Sequence, residues 1–128
     1  MLSVLEHFAD PFAVLDRLSQ LIPRGGRLFL TTTNSDGIGH RLFGPDWEGY
    51  FDWTHHGVDR VSARTLRDAL QRLGWNIELL ETNVVWDGSA DPTHATLREW
   101  YASDARFRRL LAERDAGDLI TCVATKVG

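Results

Sequence analysis

Short apolar strands and amphipathic helices alternate along this chain, and that order limits the fold more than any other feature. Residues 1–6 are apolar except for a serine and a glutamate, as in the tail of a buried parallel strand. Asp10-Pro11 supplies a helix N-cap followed by proline at the first helical position, and apolar residues then recur every three or four positions. Arg27–Thr33 is a β-rich segment with three threonines. Strand, helix and strand in this order predict a crossover unit with parallel strands.

The second half of the chain continues the alternation. Ser62 caps a helix with a leucine stripe, and Gly74 stands where the helix should end. We predict a strand at Trp75–Thr82 and a last strand at Leu119–Lys126. Residues 93–114 have a helical pattern, which we expect to break near Ser103-Asp104 and to follow a turn at Asp87–Pro92. The whole pattern predicts one α/β domain.

Composition excludes several classes of protein. The 128 residues have 43% apolar side chains, a net charge of −4 and one cysteine, so the chain can form a core without a disulfide framework. An isoelectric point near 5.7 argues against nucleic-acid binding. Apolar stretches are far shorter than the ~20 residues of a membrane helix. The N-terminus lacks the basic region of a signal peptide, and we therefore expect a cytoplasmic protein.

The segment between Asn34 and Val61 has no persistent period and is a candidate functional loop. His55-His56, with Asp52 and Asp59 nearby, could suggest a metal site. Adjacent side chains on an extended chain point to opposite sides, however, and we predict no metal for this pair. A second interpretation is a substrate-side loop that folds over a crevice, and a third is a loop held in place by buried aromatic residues. The aromatic side chains in question are Trp47, Tyr50, Phe51 and Trp53.

Several sequence words, in this order and spacing, resemble those of one enzyme family. Val4-Leu5-Glu6-His7-Phe8-Ala9-Asp10-Pro11 precedes the first helix, and Pro23-Arg24-Gly25-Gly26 precedes the strand that ends at Asn34. Asp52-Trp53-Thr54-His55-His56 and Gly117-Asp118-Leu119 follow later. Together they resemble the second half of class I S-adenosylmethionine-dependent methyltransferases, in the small-molecule branch with an LEH segment and a PGG turn.

The resemblance implies a Rossmann-like sheet of which this chain holds strands four to seven, the last one antiparallel, with flanking helices. In that family a glycine-rich loop after strand one and an acidic residue after strand two hold S-adenosylmethionine. Neither position has a counterpart in residues 1–128. We therefore expect a single, truncated domain that begins within the fourth strand and lacks the N-terminal cofactor-binding half.

The resemblance also places Leu5, Glu6 and His7 beside the cofactor and the methyl acceptor. Crevices of open α/β sheets lie at the carboxyl ends of the strands, where this segment falls. His7 is the candidate catalytic residue, as a general base or as a group that orients the acceptor, because imidazole is the side-chain type best suited to proton transfer at physiological pH. The alternative is that Glu6 and His7 only satisfy backbone groups at the strand end. We predict substrate contacts at Asn34, Trp53, His55 and His56.

Three functional hypotheses remain from the sequence. The first is a methyltransferase for a small-molecule acceptor, present as a C-terminal portion that is inactive alone. The second is a non-enzymatic interaction module that uses the exposed N-terminal strand to form a homodimer. The third is a fragment of an intact enzyme.

Overall fold

The structure is a computed structural model, which describes residues 1–50, 53–85 and 92–128 apart from the side chain of residue 48. The predicted turn at Asp87–Pro92 therefore lies almost entirely outside the described residues. Helices and strands follow the predicted order, except that a short helix at Ile38–Phe43 lies inside the segment from Asn34 to Val61, for which the sequence predicts a loop. They are α1 (Pro11–Leu21), β1 (Arg27–Thr33), α2 (Ile38–Phe43), α3 (Ala63–Arg72), β2 (Trp75–Thr82), α4 (Pro92–Ser103), α5 (Ala105–Glu113) and β3 (Leu119–Lys126), with short 3-10 helices at Leu5–His7, Gly44–Asp46 and Glu48–Tyr50.

Within the described residues the sheet has the order β1-β3-β2, and β3 runs antiparallel to both neighbours. β1 and β2 are thus parallel to each other although no strand pairing joins them directly. The β1 register runs from Arg27 opposite Thr125 to Thr33 opposite Leu119. This arrangement confirms the predicted α/β fold and its antiparallel last strand.

The N-terminal segment pairs with β1 less extensively than the sequence predicts. Leu2 forms an isolated parallel bridge with Thr31. The Thr31 N–H donates to the Met1 carbonyl at 3.0 Å, and the Ser3 N–H donates to the Thr31 carbonyl at 2.9 Å. Ser3 has a φ of +50°, which turns the chain away from the strand direction, and Leu5–His7 then forms a 3-10 turn. The parallel direction agrees with the prediction, whereas the strand is reduced to one bridge.

Side-chain caps explain why the helix boundaries follow the sequence closely. The Asp10 carboxylate accepts a hydrogen bond from the Ala13 N–H at 3.0 Å. Ser62 and Thr65 form a reciprocal capping box at the start of α3. Asp104 separates α4 from α5 and caps the latter, and its bond to the Arg106 side chain lowers the pKa of the Asp104 carboxyl to about 2. Each cap satisfies a backbone N–H that would otherwise lack a partner.

The main core lies between the sheet and helices α1 and α3. Trp75 of β2 donates from Nε1 to the Ser19 hydroxyl of α1 at 2.6 Å, which ties the two elements together. A smaller cluster packs α5 against α4 around Phe107 and Leu97. No helix in the described ranges is both long and apolar enough to cross a lipid bilayer. The main core contains Leu5, Leu15, Leu28, Leu30, Val61, Ala63, Leu66, Leu70, Trp75, Ile120, Cys122 and Ala124.

Truncation of a core residue in the central strand should destabilise the whole domain. Ile120 is fully buried in β3, so Ile120→Ala removes apolar contacts and leaves a cavity. We expect the free energy of unfolding to fall by about 2–5 kcal/mol. Leu21→Ala is the matched control, because Leu21 is 65% exposed at the end of α1 and should change stability by less than about 0.5 kcal/mol. Urea denaturation measures both, and equal losses would contradict the assigned core.

Cys122 should be unreactive in the folded protein. Burial raises the pKa of its thiol to about 11, from 9.0, and the thiol is fully buried in β3. Alkylation at pH 8, followed by mass spectrometry, should therefore modify the chain only in denaturant. Between pH 9 and 11 the unfolded thiol releases a proton that the folded thiol retains, so this group lowers stability as the pH rises. Rapid alkylation of the native chain would contradict the burial.

Candidate functional site

Three side chains that are far apart in sequence meet at one place. Glu6, His7 and His55 each offer one ligand atom, and these atoms all lie within 4.8 Å of one another. The two imidazole rings are 4.7 Å apart between centroids and nearly perpendicular, at 70°. We call these three residues the Glu-His-His cluster. It joins the segment after the Leu2 bridge to the loop that precedes α3.

Glu6 forms the buried floor of the cluster. Its side chain is 2% exposed, and its Oε2 accepts a hydrogen bond from the Thr32 hydroxyl at 2.9 Å. Thr32 lies next to the carboxyl end of β1, so the cluster occupies the edge where ligands bind in open α/β sheets. The Gly57 N–H donates to the Glu6 carbonyl at 2.9 Å, which fixes the loop against the floor.

His7 is half-buried and is oriented by one neighbouring residue. Its Nδ1 lies 2.8 Å from the Thr54 hydroxyl and 3.2 Å from the Thr54 carbonyl oxygen. A carbonyl can only accept, so a proton on Nδ1 satisfies this position. In the neutral ring the Nε2 atom then carries the lone pair.

His55 is held in the same way. Its Nδ1 lies 2.7 Å from the Gly49 carbonyl oxygen, which again requires the proton on Nδ1. Gly49 packs directly against the Trp47 ring, and Trp47 is 1% exposed. The buried tryptophan therefore fixes the backbone to which His55 is bonded.

The other predicted site residues lie in different surroundings. Leu5 is fully buried in the main core, next to the cluster in sequence. Asn34 is also fully buried, and its Nδ2 donates to the carbonyls of Asp115 and Gly117 at 2.9 and 2.7 Å. Trp53 is 84% exposed, and His56 is exposed too. His55 is the member of the predicted substrate group that the structure brings to His7.

Part of the predicted aromatic wall can be placed. Trp47 is buried and Tyr50 is half-buried, while Phe51 and Asp52 lie outside the described residues. The Tyr50 hydroxyl is 2.8 Å from Nε2 of His40. Desolvation, with a smaller contribution from the Asp59 charge, raises the pKa of the Tyr50 phenol.

Sequence reasoning missed the two threonines that support the cluster. The sequence indicates only that Thr32 is a β-branched strand residue. Thr54 has no sequence signal of its own beside the two adjacent histidines. The available signal was positional, because Thr32 precedes the carboxyl end of a predicted strand and so faces the crevice edge. The cluster as a whole can hold a group that has hydrogen-bond donors, or a cation, between two imidazoles and one carboxylate.

Comparison with known proteins gives a family match over the part of the chain that contains the cluster. A family model described as a methyltransferase domain matches residues 1–80. That range is more than half of the chain and includes Glu6, His7 and His55. Among curated proteins none matches the chain significantly.

Solved structures show the same fold at low sequence identity. A putative methyltransferase from Bacillus halodurans C-125 superposes with a TM-score of 0.57 and 16% identity, over 99% of this chain and 68% of that one. A chain from the complex between the Haloferax volcanii methyltransferase activator Trm112 and a putative methyltransferase superposes with a TM-score of 0.52 and 16% identity. This second match covers 99% of the present chain and 52% of the other.

The bond between Glu6 and Thr32 should be measurable as a coupling energy. Thr32→Val keeps the shape of the side chain but leaves the buried carboxylate without this donor, and we expect a loss of about 1–3 kcal/mol in unfolding free energy. In a double-mutant cycle with Glu6→Met, which removes the acceptor, we expect a coupling of at least about 0.5 kcal/mol. Thr31→Val is the control for the cycle, because the Thr31 hydroxyl accepts from the Ser3 N–H instead, and it should show no coupling with Glu6→Met. Additive effects of Thr32→Val and Glu6→Met would contradict the bond.

Proposed function

The chain belongs to the methyltransferase domain family, and from this membership we propose that it takes part in methyl transfer from S-adenosylmethionine to a small-molecule acceptor. The observation that carries the proposal is the position of His7, which lies at the carboxyl edge of the sheet beside Glu6 and His55. We propose that it acts in the cytoplasm.

The residues present fit only one side of a site for S-adenosylmethionine. When bound, this cofactor supplies an electrophilic methyl group. Leu5, Glu6 and His7 would border its methionine end, but the Glu6 carboxylate is already bonded to Thr32. The sequence holds no glycine-rich loop followed by an acidic strand end to receive the ribose. This chain would therefore bind and orient the methyl acceptor, and the contacts to the ribose and adenine would come from outside it.

His7 is the residue we propose for acceptor chemistry. With Nδ1 turned to Thr54, its Nε2 can accept a hydrogen bond from a hydroxyl or amine. That contact would orient the acceptor, or remove its proton as the new bond to carbon forms. His55 would contribute to the same wall, while Trp53 and His56 would meet the acceptor from the exposed side of the loop.

We further propose that residues 1–128 form the C-terminal half of the enzyme. In support, β3 runs antiparallel to its neighbours, as expected of the last strand of the resembling family, and Leu2 forms a parallel bridge with β1, as expected of the end of strand four. The remaining strands would lie on the far side of Leu2. In this proposal the chain is inactive without them.

A second candidate function is an interaction module that forms a homodimer. The observation that favours it is the outer edge of β1, where the described pairing is limited to the Leu2 bridge and its flanking bonds. A sheet edge with unpaired backbone groups is a template for another strand. Leu2 itself is 63% exposed.

Calorimetry tests the proposal that the cofactor half is missing. Titration of S-adenosylmethionine into the 128-residue chain should show no micromolar binding, because the ribose and adenine contacts are absent. A tight 1:1 complex would contradict this. The DNA upstream of Met1 offers a second test. It should encode an in-frame glycine-rich loop roughly 80–100 residues earlier, because the missing βα units are about 30 residues each.

The substitution His7→Ala tests the proposed role of His7 at the acceptor, in the protein that includes the upstream cofactor-binding half. We expect kcat to fall about 10²- to 10⁴-fold, because a positioned general base contributes this much. Gln71→Ala is the control, since Gln71 is exposed on α3 and is neither in the cluster nor among the proposed acceptor contacts, and its kcat should stay within about threefold of the parent. An equal kcat for His7→Ala and the parent would exclude the role of His7.

Light scattering after size exclusion tests the dimer. The module hypothesis predicts a dimer that Leu2→Lys weakens, because a charge on a strand edge opposes pairing. Leu21→Lys is the control, at an equally exposed leucine on α1. A strict monomer at high concentration would contradict the hypothesis.

A further inference from the structure

We infer that the Glu-His-His cluster binds a divalent transition-metal ion, with Zn²⁺ as the best match. Two imidazoles and one carboxylate are a donor set that suits zinc and open-site iron. The inference goes beyond methyl transfer and does not depend on it, since it concerns only side chains within the described part of the chain.

The spacing of the donors is close to that of a coordination site. In a tetrahedral zinc site with metal–nitrogen bonds of 2.0–2.1 Å, ligand atoms are about 3.3 Å apart. The three donor atoms of Glu6, His7 and His55 already lie within 4.8 Å of one another. The donor atoms are therefore at most about 1.5 Å further apart than in a formed zinc site, and side-chain rotation on ion binding would have to close that gap.

Hydrogen bonds at Nδ1 orient the two imidazole rings in a way that suits metal ligands. Each ring turns Nδ1 toward a backbone carbonyl, of Thr54 for His7 and of Gly49 for His55. Donation through Nδ1 fixes the tautomer in which Nε2 holds the lone pair, and metal-bound histidines almost always have such a second partner. The Thr54 hydroxyl lies at 2.8 Å from the same nitrogen of His7 and adds to this orientation.

The charge of Glu6 also favours a cation. A carboxylate that is 2% exposed is costly to bury unless a charge or several hydrogen bonds compensate it. Among the described residues, the hydrogen bond to this carboxylate comes from the neutral Thr32 hydroxyl. A divalent ion between Glu6 and two neutral imidazoles would supply the compensating charge.

The structure assigns His55, and not the adjacent His56, to the metal site. The adjacent histidines differ in burial, with His55 half-buried in the cluster and His56 exposed. The pair is therefore not the site, and the second imidazole comes instead from His7, 48 positions earlier. With a cation bound, His7 would act on an acceptor through that cation, which lowers the pKa of a bound hydroxyl.

Isothermal titration of ZnCl₂ into the 128-residue chain, prepared without a histidine tag, tests the inference. We expect one ion per chain, and at least a tenfold weaker affinity in His7→Ala and in His55→Ala. His56→Ala is the matched control and should bind as the parent does. No binding at millimolar zinc, or equal losses in all three variants, would overturn the site.

X-ray absorption of the zinc-loaded parent chain gives a second measurement that needs no variant to fold. Two imidazole nitrogens at about 2.0–2.1 Å and one carboxylate oxygen are expected. Purely oxygen or sulfur coordination would overturn the inference. Because neither experiment involves S-adenosylmethionine, zinc binding and the methyl-transfer proposal can fail independently.

Discussion

The antiparallel strand β3 is the constraint on which the rest of the structure depends. No strand pairing joins β1 to β2, so within the three-stranded sheet each of them pairs with its own edge of β3. The turn that enters β3 is bound by the ends of both strands. The Asn34 N–H donates to the Asp118 carbonyl at 2.8 Å, and the Asp118 N–H donates to the Val84 carbonyl at 2.9 Å. Backbone hydrogen bonds therefore connect the ends of all three strands at the carboxyl edge of β1 and β2. The position of this edge depends on the sheet itself and not on the loops beyond it.

The Glu-His-His cluster depends on this edge through one buried contact. Thr32 is fixed by the pairing of β1 with β3, and it carries the hydroxyl that holds Glu6. Glu6 and His7 in turn position the loop, because the Gly57 N–H is hydrogen-bonded to the Glu6 carbonyl and Thr54 is hydrogen-bonded to the His7 ring. A strand side chain therefore supports a polar site whose other residues lie on loops. Both the proposed acceptor chemistry and the inferred metal site use this same support.

Local signals predicted the elements well, and long-range contacts explain what they missed. The bounds of β1, β2 and β3 follow from β-rich runs between clear turn residues, and Asp104 breaks the predicted helical stretch because its side chain caps α5. The 3-10 turn at Leu5–His7 was missed because an apolar run does not reveal a positive φ at Ser3. Nothing local relates Glu6 to His55. Their meeting depends on the path of a loop without periodicity, which is determined by the buried Trp47 ring and by Gly57.

Gly57 lies directly against the backbone of the segment that carries Glu6 and His7. A β-carbon at this position would overlap the Phe8 carbonyl oxygen, so any other residue must push apart the segments that carry His7 and His55. A nucleotide change at this codon that replaces the glycine therefore acts first on the spacing between the two segments that carry the histidines, and the arrangement of the cluster depends on one residue that contributes no side chain to it.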